Sequence, residues 1–149
     1  MKIIRFLDEN GSTQFGAQQA DGSATLIEGD VFGDYKDTGQ PANVSKLLAP
    51  IQATDILCIG LNYARHAAEG GKEVPEQPVL FMKNTGALQN PGDPILVPRH
   101  VECNAVDYEC ELAMVIGKEC KNVSKENALD YILGYTCMND VSERVWQLT

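Results

Sequence analysis

One stretch of this 149-residue chain constrains its fold more than any other: Val106-Asp107-Tyr108-Glu109-Cys110-Glu111-Leu112-Ala113-Met114-Val115-Ile116-Gly117. The run reads as a β-strand. Strand side chains alternate between faces, so Asp107, Glu109 and Glu111 project to one side while Tyr108, Cys110, Leu112 and Met114 project to the other. Neighbouring carboxylates on one face repel. Unless that face is open to water, the repulsion must be relieved by protonation, by basic partners or by a bound cation.

Around this run the chain is written mostly in short strands. Residues 2–7 and 24–27 have strand character, separated by the turn sequences Glu9-Asn10-Gly11-Ser12 and Ala20-Asp21-Gly22-Ser23. A polar stretch from Gly29 to Asn43 leads into Val44-Ser45-Lys46-Leu47-Leu48-Ala49-Pro50, read as a short helical or irregular segment closed by proline. A domain boundary is expected near residue 52, giving a small β-rich unit over 1–52 and a second unit over 53–149.

In the second unit Ile56-Leu57-Cys58-Ile59-Gly60 is wholly apolar and predicts a strand buried on both faces. Asn62 is placed to cap a short helix from Tyr63 to Glu69, which Gly70-Gly71 would end by supplying a left-handed residue. Pro78 to Lys83 and Ile95 to Pro98 read as further strands. Ser124 is expected to cap a helix from Lys125 to Leu133, followed by a strand over Tyr135 to Met138 and a helix start at Asn139-Asp140-Val141-Ser142.

Composition narrows the function. The net charge of -9, from 21 acidic against 12 basic residues, and the lack of a basic stripe argue against a nucleic-acid partner. No apolar run reaches bilayer length, and Met1 to Glu9 is too short in its apolar part for a signal peptide, so no membrane association and a cytoplasmic location are expected. Five cysteines without a Cys-x-x-Cys pair fit reduced, mostly buried thiols rather than disulfides or a zinc site.

Three groups of residues, and Lys83 beside them, can carry chemistry. Glu109 and Glu111 gain a third carboxylate in Asp140, and an all-oxygen donor set favours Mg²⁺, Mn²⁺ or Ca²⁺. The competing reading is a solvated strand face with three unrelated acids. Asp140, Arg144 and Gln147 are spaced i, i+4 and i+7, which on a helix would give one narrow face a metal ligand, a guanidinium able to grip a carboxylate, and an amide donor. An ordinary Asp/Arg helix pair fits that spacing equally well. His66 and Glu69, three apart, have the form of a general base oriented by a carboxylate, although such spacing also decorates surface helices. Lys83 ends an apolar strand within reach of an anionic substrate, or is simply solvated.

Taken in order, Gly60-Leu61-Asn62-Tyr63-Ala64-Arg65-His66-Ala67-Ala68-Glu69, Phe81-Met82-Lys83, Pro91-Gly92-Asp93-Pro94-Ile95, the acidic run with Lys118, and Gly134-Tyr135-Thr136 through Asn139-Asp140-Val141-Ser142-Glu143-Arg144 to Gln147 resemble the fumarylacetoacetate hydrolase family. The resemblance covers roughly residues 55–149, and the first fifty or so resemble the small N-terminal domain of many bacterial members. It implies an α+β, mainly β fold: a mixed β-roll, incomplete at its C-terminal side, preceded by a small β-rich domain.

By the same resemblance Glu109, Glu111 and Asp140 are ligands of Mg²⁺ or Mn²⁺, with Asp107 a bystander. His66 and Glu69 form a lid dyad that activates water or shuttles a proton, and Tyr63, Lys83, Arg144 and Gln147 bind substrate. The implied substrates are small 2-oxo or 1,3-dicarbonyl acids of aromatic-compound breakdown. Their C–C bond would be hydrolysed, their keto-enol or double-bond arrangement isomerised, or CO₂ lost, through a metal-stabilised enolate. A homodimer is implied for the full-length form. Because the chain holds about the first half of the catalytic domain, a truncated remnant or one part of a split enzyme, binding metal or a partner chain through unpaired strand edges, is the alternative function.

Overall fold

The structure is a computed structural model and describes residues 1–147. Its first fifty residues form a five-stranded antiparallel sheet from β1 (Lys2–Leu7), β2 (Thr13–Gln18), β3 (Ala24–Gly29), β4 (Tyr35–Pro41) and β5 (Lys46–Leu48), in the order β4-β3-β2-β1-β5. Local chemistry sets the turns. Asp8 accepts hydrogen bonds from the backbone N–H groups of Asn10 (2.9 Å) and Ser12 (2.8 Å), closing the β1–β2 connection. Gly29, at φ +104°, ends β3 and opens the β3–β4 connection, where a Cβ would clash with the Asp34 carbonyl oxygen, so only glycine fits.

Alternation along these strands builds apolar clusters. Ile4, Phe6 and Ala24 pack with Leu26, Ala42 and Leu47, while Ala17, Ile27 and Val31 pack with Ile3 and Phe15. Two expectations fail here. The polar stretch after Gly29 contains β4, an edge strand whose pairing with β3 needs no apolar residues of its own. Residues 44–50 are not helical: β5 pairs antiparallel with β1, and the Ser45 N–H donates to the Leu7 carbonyl at 2.9 Å. The free edge of β1 decides that segment against its local propensity.

Beyond residue 55 the sheets are small. β6 (Ile56–Gly60) pairs with β7 (Val79–Lys83), β9 (Cys110–Ile116) with β10 (Ile132–Asn139), and β8 (Val106–Asp107) with β11 (Ser142–Glu143), all antiparallel. Two α-helices, α1 (Ala64–Glu69) and α2 (Arg144–Gln147), complete this part, with single 3₁₀ segments over Thr85–Ala87 and Lys125–Tyr131. The two parts meet where the Lys46 ammonium pairs with the Asp93 carboxylate at 2.7 Å and the Ala49 N–H donates to Asn90 Oδ1 at 3.0 Å.

Several local expectations are corrected in this second part. β6 is not buried on both faces, since Cys58 is buried while Leu57 and Ile59 are exposed. Residues 95–98 form no strand: Pro94 and Pro98 remove backbone donors, and Ile95, Leu96 and Val97 instead line an open apolar groove of about 390 Å³ with Val106, Val141 and Trp146. The segment from Lys125 is a 3₁₀ helix ending at Tyr131 without a Ser124 cap bond, because Ile132 and Leu133 enter β10. Of the five cysteines, all free, only Cys58 is buried.

The acidic run itself is two strands, β8 and β9, interrupted at Tyr108 and Glu109. Its alternation nevertheless survives the break. Asp107, Glu109, Glu111, Ala113 and Val115 are partly buried, whereas Val106, Tyr108, Cys110, Leu112, Met114 and Ile116 are exposed. The carboxylates thus face inward and the apolar side chains outward. Among the described residues no helix is long and apolar enough to cross a membrane.

Candidate functional site

The site is assembled at the interruption between β8 and β9. The Asp140 N–H donates to the Glu109 carbonyl at 2.9 Å, and the Glu109 N–H donates to Asn139 Oδ1 at 3.1 Å, so the break is fastened to the end of β10. Glu111, one pair further on, lies opposite Met138 in the β9–β10 register. Strand pairing alone therefore brings Glu109, Glu111 and Asp140 into one neighbourhood.

Asp140 is the buried member, 4% exposed. Its carboxylate pairs with the ammonium of Lys83, the last residue of β7, which also donates to the Val141 carbonyl at 2.8 Å. Apart from that ion pair its Oδ1 has no hydrogen bond of proper geometry. Glu111 is pushed above the usual carboxylate range, first by burial and then by the charges of Asp140 and Glu109; a hydrogen bond with Asn62 and the charge of Lys83 oppose the shift. The thiol of Cys58 is pushed up as well, first by burial and then by the charge of Asp140, both of which disfavour the thiolate.

Arg144 binds the other edge of the cluster. Its Nε and Nη2 donate to Asp107 Oδ2 at 3.0 and 2.8 Å, while Nη1 lies 2.7 Å from Glu109 Oε1 and donates to Gln147 Oε1 at 3.0 Å. These contacts hold the Asp107 carboxyl below its usual range and leave one guanidinium N–H uncommitted. Asp107 is therefore not a bystander, because it aims Arg144. The single helical face expected for Asp140, Arg144 and Gln147 is absent: Asp140 precedes β11, and Arg144 is the first residue of α2. Tertiary pairing still joins all three to one cluster, with the Arg144–Gln147 contact spanning one turn.

Helix α1 approaches from the opposite side. Its N-cap is Tyr63 rather than Asn62, with no side-chain cap bond, which leaves Asn62 free for Glu111. The helix ends as expected at left-handed Gly71 (φ +63°), where the N–H groups of Gly71 and Lys72 return to the carbonyls of Ala68 and Ala67. Tyr63 Oη accepts the Leu112 N–H at 2.9 Å and ties α1 to β9. His66 Nε2 lies 4.0 Å from Glu109 Oε2. No hydrogen bond or ion pair joins it to Glu69, which is exposed at the last turn, so the sequence-based dyad is not formed and the carboxylate nearest His66 is Glu109.

The cluster is a credible cation cradle on its own chemistry. Four carboxylates, Asp107, Glu109, Glu111 and Asp140, face two permanent cations, Lys83 and Arg144, leaving two negative charges uncompensated when His66 is neutral. A divalent ion would balance them, and the donors are the hard oxygens that Mg²⁺ and Mn²⁺ take. As the side chains stand, no three His, Cys, Asp or Glu groups among the described residues close around one point. Sequence reading gave Asn139 and Glu143 no role, and assigned Asp107 as a bystander and Asn62 as a helix cap; the Glu143 carboxylate accepts the N–H groups of Ala105 and Trp146 at 2.8 Å. For Asp107, Asn139 and Glu143 the one signal was closeness in sequence to the named acids, and for Asn62 its place beside Tyr63, since Arg144, Glu109, Ala105 and Glu111, which they meet, lie far away in sequence.

Comparison with known proteins agrees with this architecture. The family model described as fumarylacetoacetate (FAA) hydrolase C-terminal matches residues 55–149, and an Rv2993c-like N-terminal model matches residues 1–50. A fumarylacetoacetate hydrolase domain-containing protein 2 homolog of Dictyostelium discoideum is 50% identical over 108 residues, 72% of this chain and 35% of the relative. The mitochondrial oxaloacetate tautomerase of Xenopus laevis is 46% identical over 108 residues, 72% of this chain and 33% of its own. The crystal structure of 5-carboxymethyl-2-hydroxymuconate delta-isomerase from Mycobacterium smegmatis superposes with a TM-score of 0.83 at 37% identity, over 99% of this chain and 58% of that one. The chain spans from a third to a half of the length of the curated relatives it matches. On the match over residues 55–149 and the shared fold, the chain belongs to the fumarylacetoacetate hydrolase family.

Proposed function

We propose that this chain supplies the cation-anchoring part of a divalent-metal-dependent enzyme that moves protons in, or hydrolyses, small 2-oxo or 1,3-dicarbonyl acids. The observation that carries this reading is the Asp140 carboxylate, buried, short of hydrogen bonds and next to a Glu111 whose charge is disfavoured by its neighbours. Glu109, Glu111 and Asp140 are the residues that would hold Mg²⁺ or Mn²⁺. When bound, the ion supplies a Lewis acid for two substrate oxygens.

The remaining work falls to the side chains themselves. His66, beside Glu109 and half-exposed, is placed to take a proton from substrate and return it. Arg144 is held by Glu109 and Asp107: the bidentate contact with Asp107 keeps the guanidinium aimed, and Nη1, beside Glu109, is the group that would grip a substrate carboxylate. Gln147 accepts from Arg144 through its carbonyl and keeps its amide N–H₂ for a substrate oxygen. Lys83 offers a second positive charge, Tyr63 a hydroxyl at the rim, and Glu69, one turn after His66 on α1, a carboxylate that would reach the imidazole after a rotation of the two side chains.

Proton transfer is favoured over hydrolysis because two similar proteins are named for it, the tautomerase and the delta-isomerase. The cytosolic setting and the homodimeric full-length form belong to the same reading, the former resting on five free thiols. The test is Mn²⁺ and Mg²⁺ titration by calorimetry, with enol–keto conversion of oxaloacetate followed by ultraviolet absorbance, on the parent, Glu111→Gln and Asp140→Asn. Metal affinity that falls at least tenfold in both variants supports the ligand set. Unchanged affinity in either variant overturns it, and metal binding without turnover leaves a binding module in place of an enzyme.

A further inference from the structure

Among the described residues Glu143 belongs to no ion pair, yet it is partly buried and lines the apolar groove with Val106, Val141 and Trp146. A carboxylate placed there without a cation must be satisfied by hydrogen bonds. Two main-chain donors supply them: the Ala105 N–H reaches Oε1 and the Trp146 N–H reaches Oε2, each at 2.8 Å. Trp146 is the third residue of α2 and Glu143 immediately precedes the helix, so the second bond is an N-cap contact made by a side chain longer than the usual capping residues. The first ties the same carboxylate to the residue just before β8, 38 positions back in the chain.

Two more bonds join the same segments. The Arg144 N–H donates to the Ala105 carbonyl at 2.9 Å, and Trp146 Nε1 donates to the Glu102 carbonyl at 2.8 Å. Arg144 is thus held at two levels, its guanidinium by Asp107 and its main chain by Ala105 and the capped turn. The β8–β11 register sets this up, with Ser142 opposite Asp107 and Glu143 opposite Val106. Gln147 closes the turn, its Oε1 3.0 Å from Arg144 Nη1. A helix of four residues has almost no stability of its own, so the direction of Arg144 and Gln147 depends on these contacts.

We propose that Glu143 is a positioning residue for substrate binding: by clasping the Ala105 and Trp146 N–H groups it fixes the first turn of α2, and with it the Arg144 guanidinium and the Gln147 amide that receive a substrate carboxylate and a neighbouring oxygen. This rests on the assignment of Arg144 and Gln147 to substrate under the proposed function. The hydrogen bonds of Glu143 go to main-chain N–H groups and to none of Glu109, Glu111 and Asp140. A guanidinium displaced by about 1 Å loses its paired hydrogen bonds to a carboxylate, so loss of the clasp is felt in binding of the substrate anion and not in binding of the cation.

The test is calorimetric titration of the chain with Mn²⁺ and then, at saturating Mn²⁺, with oxalate, which presents the paired oxygens of a 2-oxo acid and does not react. Glu143→Ala is expected to weaken oxalate binding at least tenfold while Mn²⁺ affinity stays within twofold of the parent. Glu143→Gln, which keeps the shape of the side chain and one acceptor, is expected to weaken it about threefold and serves where the alanine variant does not fold. In an Arg144→Ala/Gln147→Ala background, adding Glu143→Ala is expected to change oxalate affinity by less than twofold, because a residue that acts only through those two side chains then has nothing left to position. The positioning role is overturned if both Glu143 variants bind oxalate like the parent, if they lose Mn²⁺ affinity in proportion, or if the full effect persists in the Arg144→Ala/Gln147→Ala background. Those outcomes leave the proposed function standing, whereas a parent chain that takes up no Mn²⁺ or no oxalate overturns the proposed function and the positioning role together.

Discussion

The Lys83–Asp140 pair shows how one charge sets the state of the whole cluster. Asp140 is almost fully buried and its Oδ1 lacks a hydrogen bond, so the Lys83 ammonium on that oxygen is the partner that offsets the cost of burying it. Lys83→Met is expected to cost about 3 kcal/mol in metal-free buffer, as when one member of a buried pair is removed, and urea denaturation measures it. Adding Asp140→Asn to Lys83→Met should restore most of that loss, because no unpaired charge then remains buried; a double variant no better than the single one would show that the pair is not the cause. At Gly29 the constraint is steric rather than electrostatic. Gly29→Ala places a Cβ against the Asp34 carbonyl at a positive φ, and a loss of about 1–3 kcal/mol is expected from such strain, read by the same denaturation experiment.

Between elements, the contact joining β5 to the loop before β8 has a pH dependence whose sign follows from its chemistry. The Asp93 carboxyl is held below the ordinary aspartate value of 3.8, first by the hydrogen bond from Lys46 and then by that from Asn90. Its folded-state value is lower than its unfolded one, so the stability it contributes is present above the ordinary value and is lost as pH falls through the lowered one. The melting-temperature difference between the parent and Asp93→Asn is therefore expected to hold steady above that value and to shrink below it. A difference that grows on acidification would reverse the assignment. Elements also explain why α1, six residues long and without a side-chain cap, stays in place. A helix this short is not stable alone; the Tyr63 hydroxyl on the Leu112 N–H and the buried Ala67 hold it against β9.

At the scale of the molecule the core is uneven, since seven of the buried hydrophobic residues among those described precede residue 50 and two, Cys58 and Ala67, follow it, and this has a dynamic consequence. Stability follows buried apolar contact, so amide exchange in the chain alone is expected to be slowest in β1 to β3 and faster by at least tenfold in β6, β7, β9 and β10; uniform protection would contradict the uneven core. The same unevenness separates what could be read in the sequence from what could not. The strand alternation of the acidic run, the hairpin turns of the first fifty residues and the end of α1 at Gly71 were legible, because they depend on residue type and short spacing, whereas Asp140 reaches the neighbourhood of Glu109 and Glu111 only through the β9–β10 pairing. Longer-range pairing decided the rest. Residues 46–48 became a strand because β1 offered an edge, and Asp140 left the helix because β10 and β11 claimed its neighbours. Asp107 and Asn62 entered the site because Arg144 and Glu111 were brought to them across 37 and 49 positions of chain. The opening strand posed a question about repulsion among its acids. Sequence alone established that the acids share a face, since alternation is a property of the backbone. Only the tertiary structure determined that this face points inward, because the direction depends on which surfaces the rest of the fold leaves to be covered.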